Sequence, residues 1–179
     1  MGAILPIATL ADETAAFRTV MRHLVGAVTV VTTGLGDNRT GFTATSVASL
    51  SMDPPRLLVC LNRQSASFGT VQGHGVFCVN MLAHDQTHVA ERFAGRTGIR
   101  GAARYEGAQW HQLITGASAL TGSLAAVDCE VEEVIVRHSH SILIGRIRTV
   151  EVNAEAEPLL YWQGAYRLLS SVDEVLTTA

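Results

Sequence analysis

The last third of the chain constrains the fold most, because it consists almost entirely of strand-like segments. β-Branched and apolar residues dominate 118–136, 141–152 and 159–169, and only short polar turns separate these runs. Strands joined by short turns pair in antiparallel fashion. The pattern argues against a regular βαβ succession and predicts a closed or nearly closed antiparallel barrel.

The first two thirds add a few helices to this sheet. Apolar residues at helical spacing predict an N-terminal helix over 12–23, lying on a sheet. Two further helices are predicted at 65–71 and 84–93, and further strands at 25–33, 39–44, 56–61 and 76–81. Residues 95–110 are expected to form an irregular loop. The predicted fold class is therefore mainly β with a few helices (α+β).

Length and composition favour one domain that pairs with a second copy. With 179 residues, 47% of them hydrophobic, and a mean hydropathy of +0.24, the chain can bury one substantial core. We expect a single domain over 1–179, with 1–11 flexible and 170–179 a tail. Only 16% of residues are charged, so part of the apolar surface is expected to face another subunit, as in a homodimer.

The charged and sulfur-containing residues exclude several classes of partner. All 13 basic residues are scattered arginines, which disfavours nucleic acid, and no apolar run is long enough to cross a membrane. The three cysteines lie in apolar, strand-like surroundings and predict free thiols in a reducing, cytoplasmic compartment. His84 and His88 are predicted to share one helical face, but no third ligand is evident, so no metal site is predicted.

Two segments rich in small and hydroxyl-bearing residues flank one buried strand. They are Thr43–Ser46 and Cys60–Ser67. Small residues let a flat ring approach the backbone, and Ser65 and Ser67 are expected at a helix N-terminus, where amides and hydroxyls can hold a phosphate. Such a surface suits a flavin mononucleotide, although serines and threonines more often only cap helices.

A series of motifs in the order of the chain resembles the flavin reductase-like domain family, which includes the reductase components of two-component monooxygenases. The resemblance runs from Phe17 to Leu169. It is carried by GAVTVVTTG, GFTATSVASLSMDPP, LLVCLNRQSASF, FCVNML, RFAG, LTGSLAAVDCEVEEV, HSILIGRIRTVEV and PLLYWQGAYRLL.

The resemblance implies a dimeric split β-barrel of the FMN-binding type, with FMN or FAD and NADH or NADPH as cofactors. It implies that the two hydroxyl-rich segments bind flavin, with Ser65 and Ser67 at the phosphate. The implied flavin-binding residues are Thr43, Ala44, Thr45, Ser46, Cys60, Leu61, Asn62, Arg63, Gln64, Ser65, Ala66 and Ser67.

The resemblance also implies a set of residues beside the nicotinamide nucleotide. They are Asn38, Arg39, Thr40, Gly41, His140, Tyr166 and Arg167. His140 is the candidate catalytic residue; a serine, Ser139, precedes it where an aspartate is common in similar proteins. Arg92 and Phe93 stay open as further contacts, since an exposed arginine and a packed phenylalanine explain them equally well.

The implied activity is an NAD(P)H:flavin oxidoreductase that passes a hydride from nicotinamide C4 to flavin N5. Reduced flavin would then reach a partner oxygenase by diffusion. Two alternatives remain open from sequence. One is a non-catalytic split-barrel module that binds flavin or haem, and the other is an oxidase of a phosphorylated small molecule such as a pyridoxine derivative.

Overall fold

The computed structural model describes residues 10–170, with side chains from residue 12 onward. The predicted flexible segment 1–11 and the predicted tail 170–179 therefore lie outside the described residues, apart from Leu10 and Ala11, which begin the first helix, and Ser170.

The described chain contains three α-helices and twelve strands. In order they are α1 (Leu10–Met21), β1 (Gly26–Ala27), β2 (Thr29–Thr33), β3 (Thr40–Ala44), β4 (Val47–Met52), β5 (Pro55–Asn62), α2 (Ser67–His74), β6 (Val76–Met81), α3 (Thr87–Phe93), β7 (Trp110–Gln112), β8 (Ser118–Leu120), β9 (Ala125–Arg137), β10 (His140–Val152), β11 (Leu160–Trp162) and β12 (Ala165–Arg167). Short 3-10 helices span Gly36–Asn38 and Gly101–Tyr105.

Seven strands form one antiparallel sheet in the order β3-β2-β6-β9-β10-β5-β4. Its two edge strands, β3 and β4, are neighbours in the chain and are separated only by Thr45 and Ser46. Three Cα steps span at most about 11 Å, so the sheet must curl until its edges meet. The predicted antiparallel split barrel is confirmed.

The central strands are covered on both faces, which explains their continuous apolar sequence. All five residues of β2 are buried. Because successive side chains alternate, Val31 packs into the core inside the barrel with Phe77 and Leu143, whereas Val30 packs into a second core with Phe93. That second core joins the sheet to α3 and so fixes the position of the helix beside β3.

The N-terminal helix forms where its periodicity predicts, but its apolar face is not buried on the sheet. Phe17, Val20 and Leu24 are each 65% exposed in the single chain. A helix with this much exposed apolar surface requires a cover. The expectation that α1 lies on a sheet within the same chain is therefore wrong for these side chains.

The helix predicted over 84–93 begins only at Thr87, so His84 lies before it and does not share a helical face with His88. The Ala83 N–H is held by Gln86 Oε1 at 3.0 Å, and the His84 N–H donates to Glu157 O at 2.9 Å. These bonds keep the chain in a turn ahead of the helix.

Candidate functional site

A cavity of about 700 Å³ opens where the chain crosses from β3 to β4, a size typical of sites for cofactor-sized molecules. The end of β5, the end of α3 and the loop after α3 supply its other walls. It is lined by Phe42, Thr43, Ala44, Thr45, Ser46, Cys60, Leu61, Asn62, Gln64, Ser65, Ala66, Phe93, Ala94, Gly95, Gly98, Ile99, Arg100, Arg104 and His140.

Ten of the twelve residues predicted to bind flavin line this cavity, and Arg63 and Ser67 do not. The Arg63 guanidinium instead donates to His138 O at 3.3 Å. The Ser67 hydroxyl is fully buried and donates to Gly41 O at 2.9 Å. Ser65 lines the cavity just ahead of α2, so a phosphate there would meet the Ser65 side chain rather than that of Ser67.

Hydrogen bonds connect the two hydroxyl-rich segments to each other and connect β3 to α3. The Ser46 hydroxyl donates to Cys60 O at 3.0 Å, and the Cys60 N–H donates to Ser46 O at 3.1 Å. The Thr43 hydroxyl donates to Ala90 O at 2.6 Å, which ties β3 to α3. These bonds hold in place Thr43, Ser46 and Cys60, which all line the cavity.

His140 lies at the start of β10, directly opposite Asn62 at the end of β5, and its side chain reaches the cavity. The Ser139 hydroxyl lies 2.9 Å from His140 Nδ1. A hydrogen bond at this distance restrains the orientation of the His140 ring. Within residues 12–170 no hydrogen-bond partner engages Nε2, which is available to a ligand.

The other predicted nicotinamide residues are not brought together in the single chain. Arg39 places its guanidinium 4.5 Å from the centre of the Tyr105 ring and borders a separate cavity. Tyr166 lines a cavity of about 220 Å³ that shares Thr43 and Thr45 with the large one. Arg167 is exposed. Of the predicted nicotinamide set, His140 alone is in the lining of the large cavity, Tyr166 lines the neighbouring one, and Gly41 lies behind the wall, where its O accepts a hydrogen bond from Arg104.

One wall of the cavity comes from residues 95–105, which sequence reasoning treated only as an irregular loop. Arg92 anchors it by donating to Ala103 O and, at 3.1 Å, to Arg104 O. The Tyr105 ring packs edge-on against Phe93 with ring centres 5.1 Å apart. A glycine-rich stretch with several arginines after a helix was the only sequence signal, and it does not specify these tertiary contacts.

The cavity walls carry positive but no negative side chains. Arg100 and Arg104 line it, and no aspartate or glutamate does. Burial lowers the pKa of Arg104, and the nearby Arg100 charge lowers it further. Small residues beside an electropositive corner fit a flat ring that carries a phosphate.

Residues 21–170 match the model of the flavin reductase like domain. The chain belongs to this family.

Relatives extend the match over nearly the whole chain. It is 40% identical over 163 residues to FMN reductase (NADH) RutF 2 of Methylorubrum extorquens, covering 91% of this chain and 94% of the relative. Among solved structures it is similar to BorF, the flavin reductase component of a bacterial two-component tryptophan halogenase, with TM-score 0.81, 34% identity and coverage of 88% and 99%.

A second similar solved structure is that of nitrilotriacetate monooxygenase component B from Mycobacterium thermoresistibile. It has a TM-score of 0.81 and 33% identity, and the match covers 90% of this chain and 89% of that one.

The described part of the chain contains neither a membrane-spanning helix nor a cluster of metal ligands. No helix between residues 10 and 170 is both long and apolar enough to span a membrane. In the same range, no group of three or more His, Cys, Asp or Glu side chains is arranged to hold a metal ion.

Proposed function

We propose that the protein is an NADH-dependent FMN reductase that releases reduced flavin to a partner oxygenase or halogenase. The observation that carries the proposal is the cavity at the β3–β4 crossing, whose lining combines small and hydroxyl-bearing residues with arginines and holds no acid. The family membership and the relatives' names support FMN and NADH over the other cofactors.

The reaction consumes FMN, NADH and one proton and yields reduced FMN and NAD⁺. When both nucleotides are bound, NADH would supply the hydride and FMN would accept it, so the protein need supply no nucleophile. Its contribution is to hold the two rings within roughly 3–3.5 Å of each other. The tied segments at Ser46 and Cys60 form a rigid floor for one ring, and the open side of the cavity admits the other.

His140 is proposed as the residue that meets the nicotinamide nucleotide. Its exposed ring stands at the cavity edge, oriented by Ser139 through Nδ1, so Nε2 can donate to or accept from the bound nucleotide.

Replacing His140 by Ala is expected to raise the KM for NADH or lower kcat several-fold, because one positioning contact is lost. Steady-state kinetics at saturating FMN measure both constants, and His138→Ala, at the exposed turn before β10, is the matched control. Kinetics equal to wild type for His140→Ala would remove the residue from the mechanism.

The activity itself is tested by following NADH absorbance with purified protein, with and without FMN. We expect rapid oxidation that depends on FMN, and slower oxidation when NADPH replaces NADH. FAD and riboflavin in place of FMN then rank the flavins. Folded protein that binds FMN yet oxidises neither nucleotide would instead indicate a flavin-binding module without turnover.

Supply to a partner is proposed to occur by free diffusion, since the cavity opens to solvent and the flavin is an exchangeable substrate. Homodimerisation is proposed from the exposed apolar side chains of Phe17 and Val20 on α1 and of Leu24 just after it, each 65% exposed.

A further inference from the structure

The β9–β10 hairpin, which carries His140, turns in only two residues. Arg137 pairs with His140 at the strand ends, so His138 and Ser139 alone form the connection. Such a short turn leaves little freedom to the residue that follows it. The position of the turn therefore sets the position of His140 at the edge of the cavity.

Arg63 holds this turn from the neighbouring strand. It follows Asn62, the last residue of β5, which lies opposite His140 in the sheet. The Arg63 N–H donates to Ser139 O at 3.0 Å, and the Arg63 guanidinium donates to His138 O at 3.3 Å. One residue therefore binds both peptide carbonyls of the two-residue turn.

Arg63 belongs to a hydroxyl-rich segment of the cavity wall, although Arg63 itself does not line the cavity. Its neighbours Asn62, Gln64 and Ser65 do. The Asn62 side-chain oxygen accepts a hydrogen bond from the Gln64 N–H, and Asn62 O accepts one from the Ser65 N–H, each at 2.9 Å. The segment that faces the flavin is thus held in one conformation, and Arg63 connects it to the hairpin turn.

The hydrogen bonds continue from the turn to the ring of His140. Ser139 Oγ lies 2.9 Å from His140 Nδ1. Arg63 locates the backbone of the turn and Ser139 restrains the ring, so together they determine where His140 Nε2 stands. Both residues are exposed, and hydrogen bonds between exposed groups add little to stability, because water replaces them readily. We therefore expect them to affect position more than folding.

We propose that Arg63 and Ser139 are positioning residues for hydride transfer, which act by holding His140 at a fixed place relative to the bound flavin. The inference rests on the proposed FMN reductase function. It leaves the balance of the reaction unchanged, since a hydride leaves NADH for FMN and a proton from solvent completes reduced FMN. The rate of transfer depends steeply on the alignment of the two rings, so displacement of a residue that meets the nicotinamide nucleotide lowers it.

Stopped-flow reduction of bound FMN at saturating NADH measures the transfer step, and flavin fluorescence measures FMN affinity. Arg63→Ala keeps the backbone bond to the turn and loses the side-chain bond. We expect its reduction rate to fall about three- to tenfold and its FMN dissociation constant to change less than about twofold. Arg63→Lys retains a cationic donor and should recover most of the rate.

Arg137→Ala is the matched control. It removes an exposed guanidinium beside the same turn, and within residues 12–170 that guanidinium donates only to Val136 O, at 2.7 Å. Arg137→Ala should keep the wild-type rate. An equal fall in Arg63→Ala and Arg137→Ala would overturn the proposal.

A double-mutant cycle separates positioning through His140 from a structural role of Arg63. If Arg63 and Ser139 act through the His140 ring, replacing either by Ala should cost nothing further once His140 is Ala. We therefore expect His140→Ala alone, with Arg63→Ala and with Ser139→Ala to give rates within about twofold of one another. A further several-fold loss in the combined variants, or a wild-type rate in His140→Ala, would overturn the proposal.

The ring nitrogens of His140 give a readout that does not depend on activity. In the nitrogen NMR spectrum of the whole protein, the His140 signals are assigned by their absence from His140→Ala. Ser139→Ala should shift the Nδ1 signal, and Arg63→Ala should shift or broaden both. Unchanged signals in both variants would overturn the proposal and leave any reductase activity standing. Wild-type protein that shows these changes in its variants but oxidises no NADH would instead exclude the reductase and keep the hold on His140.

Discussion

Ser141 has the only fully enclosed side-chain oxygen without a hydrogen-bond partner among residues 12–170. It follows His140 on β10 and is fully buried, so its hydroxyl has lost water without a replacement. Ser141→Ala is expected to raise the free energy of unfolding by about 1 kcal/mol.

Denaturant unfolding of Ser141→Ala and Ser67→Ala gives a matched comparison. Ser67 is equally buried, but its hydroxyl donates to Gly41 O, so Ser67→Ala should lower stability by about 1–2 kcal/mol. A loss of stability in Ser141→Ala similar to that in Ser67→Ala would show that the Ser141 hydroxyl has a partner.

The three cysteines should differ in reactivity because only one borders the cavity. Burial raises the pKa of Cys129 to about 12 and that of Cys78 well above its usual range, so their reactive thiolates are scarce at pH 8. Cys60 is half-buried and lines the cavity.

A thiol-specific reagent is therefore expected to modify one cysteine per chain in a fast phase, and saturating FMN should slow that phase at least about fivefold by covering Cys60. Cys60→Ser should abolish the phase. If saturating FMN does not slow the fast phase, the flavin does not bind in this cavity.

Elements with a strong local pattern formed where the sequence predicts them. Strand β6 spans Val76–Met81 as expected, and β2 and β3 form the expected hairpin. Strand β4 was not predicted, because two serines interrupt the apolar residues of Val47–Met52 and the segment gains its ladder only by pairing with β5. The sequence did not predict that segment 95–105 forms a cavity wall, because contacts with residues distant in the chain hold its conformation.

Tyr105 is the most informative residue for that segment. Its hydroxyl donates to Thr40 O at 2.6 Å, and burial raises the pKa of its phenol, so it remains a neutral donor. Tyr105→Phe is expected to lower the free energy of unfolding by about 1–2 kcal/mol and to weaken FMN binding, because the wall loses its tie to β3.

Thermal unfolding and FMN titration measure these two effects of Tyr105→Phe. Tyr166→Phe, whose hydroxyl makes no hydrogen bond within residues 12–170, is the control for stability. If Tyr105→Phe is as stable as wild type, aromatic packing alone holds this segment in place and the hydroxyl bond does not contribute.

The whole molecule is expected to be a dimer that covers α1. Sedimentation at micromolar concentration should give twice the chain mass of 19.1 kDa. Val20→Ser combined with Leu24→Ser should shift the protein toward monomer, because both side chains are 65% exposed in the single chain and would lose apolar contact area. Val136→Ser, on the exposed end of β9, is the control. A monomeric wild type would exclude the dimer.

The sequence by itself determined the strand-rich, antiparallel architecture, and the family resemblance of its motifs pointed to two segments that line the cavity. Alternating and β-branched runs specify strands locally, and short turns specify antiparallel neighbours, so antiparallel pairing of β9 with β10 could be anticipated. The pairing of β10 with β5 joins distant parts of the chain and was not predicted. The small, hydroxyl-rich stretches at Thr43–Ser46 and Cys60–Ser67 marked the floor because their composition is itself the physical requirement for a close approach of a flat ring.

Only the tertiary structure decided which side chains face the cavity. Ser65 and Ser67 look equivalent in sequence, yet one lines the space and the other is buried against Gly41. Arg104 lies 63 residues from the carbonyl of Gly41 that it binds. Such contacts depend on how the closed sheet, α3 and the following loop pack together, and no local pattern encodes that packing.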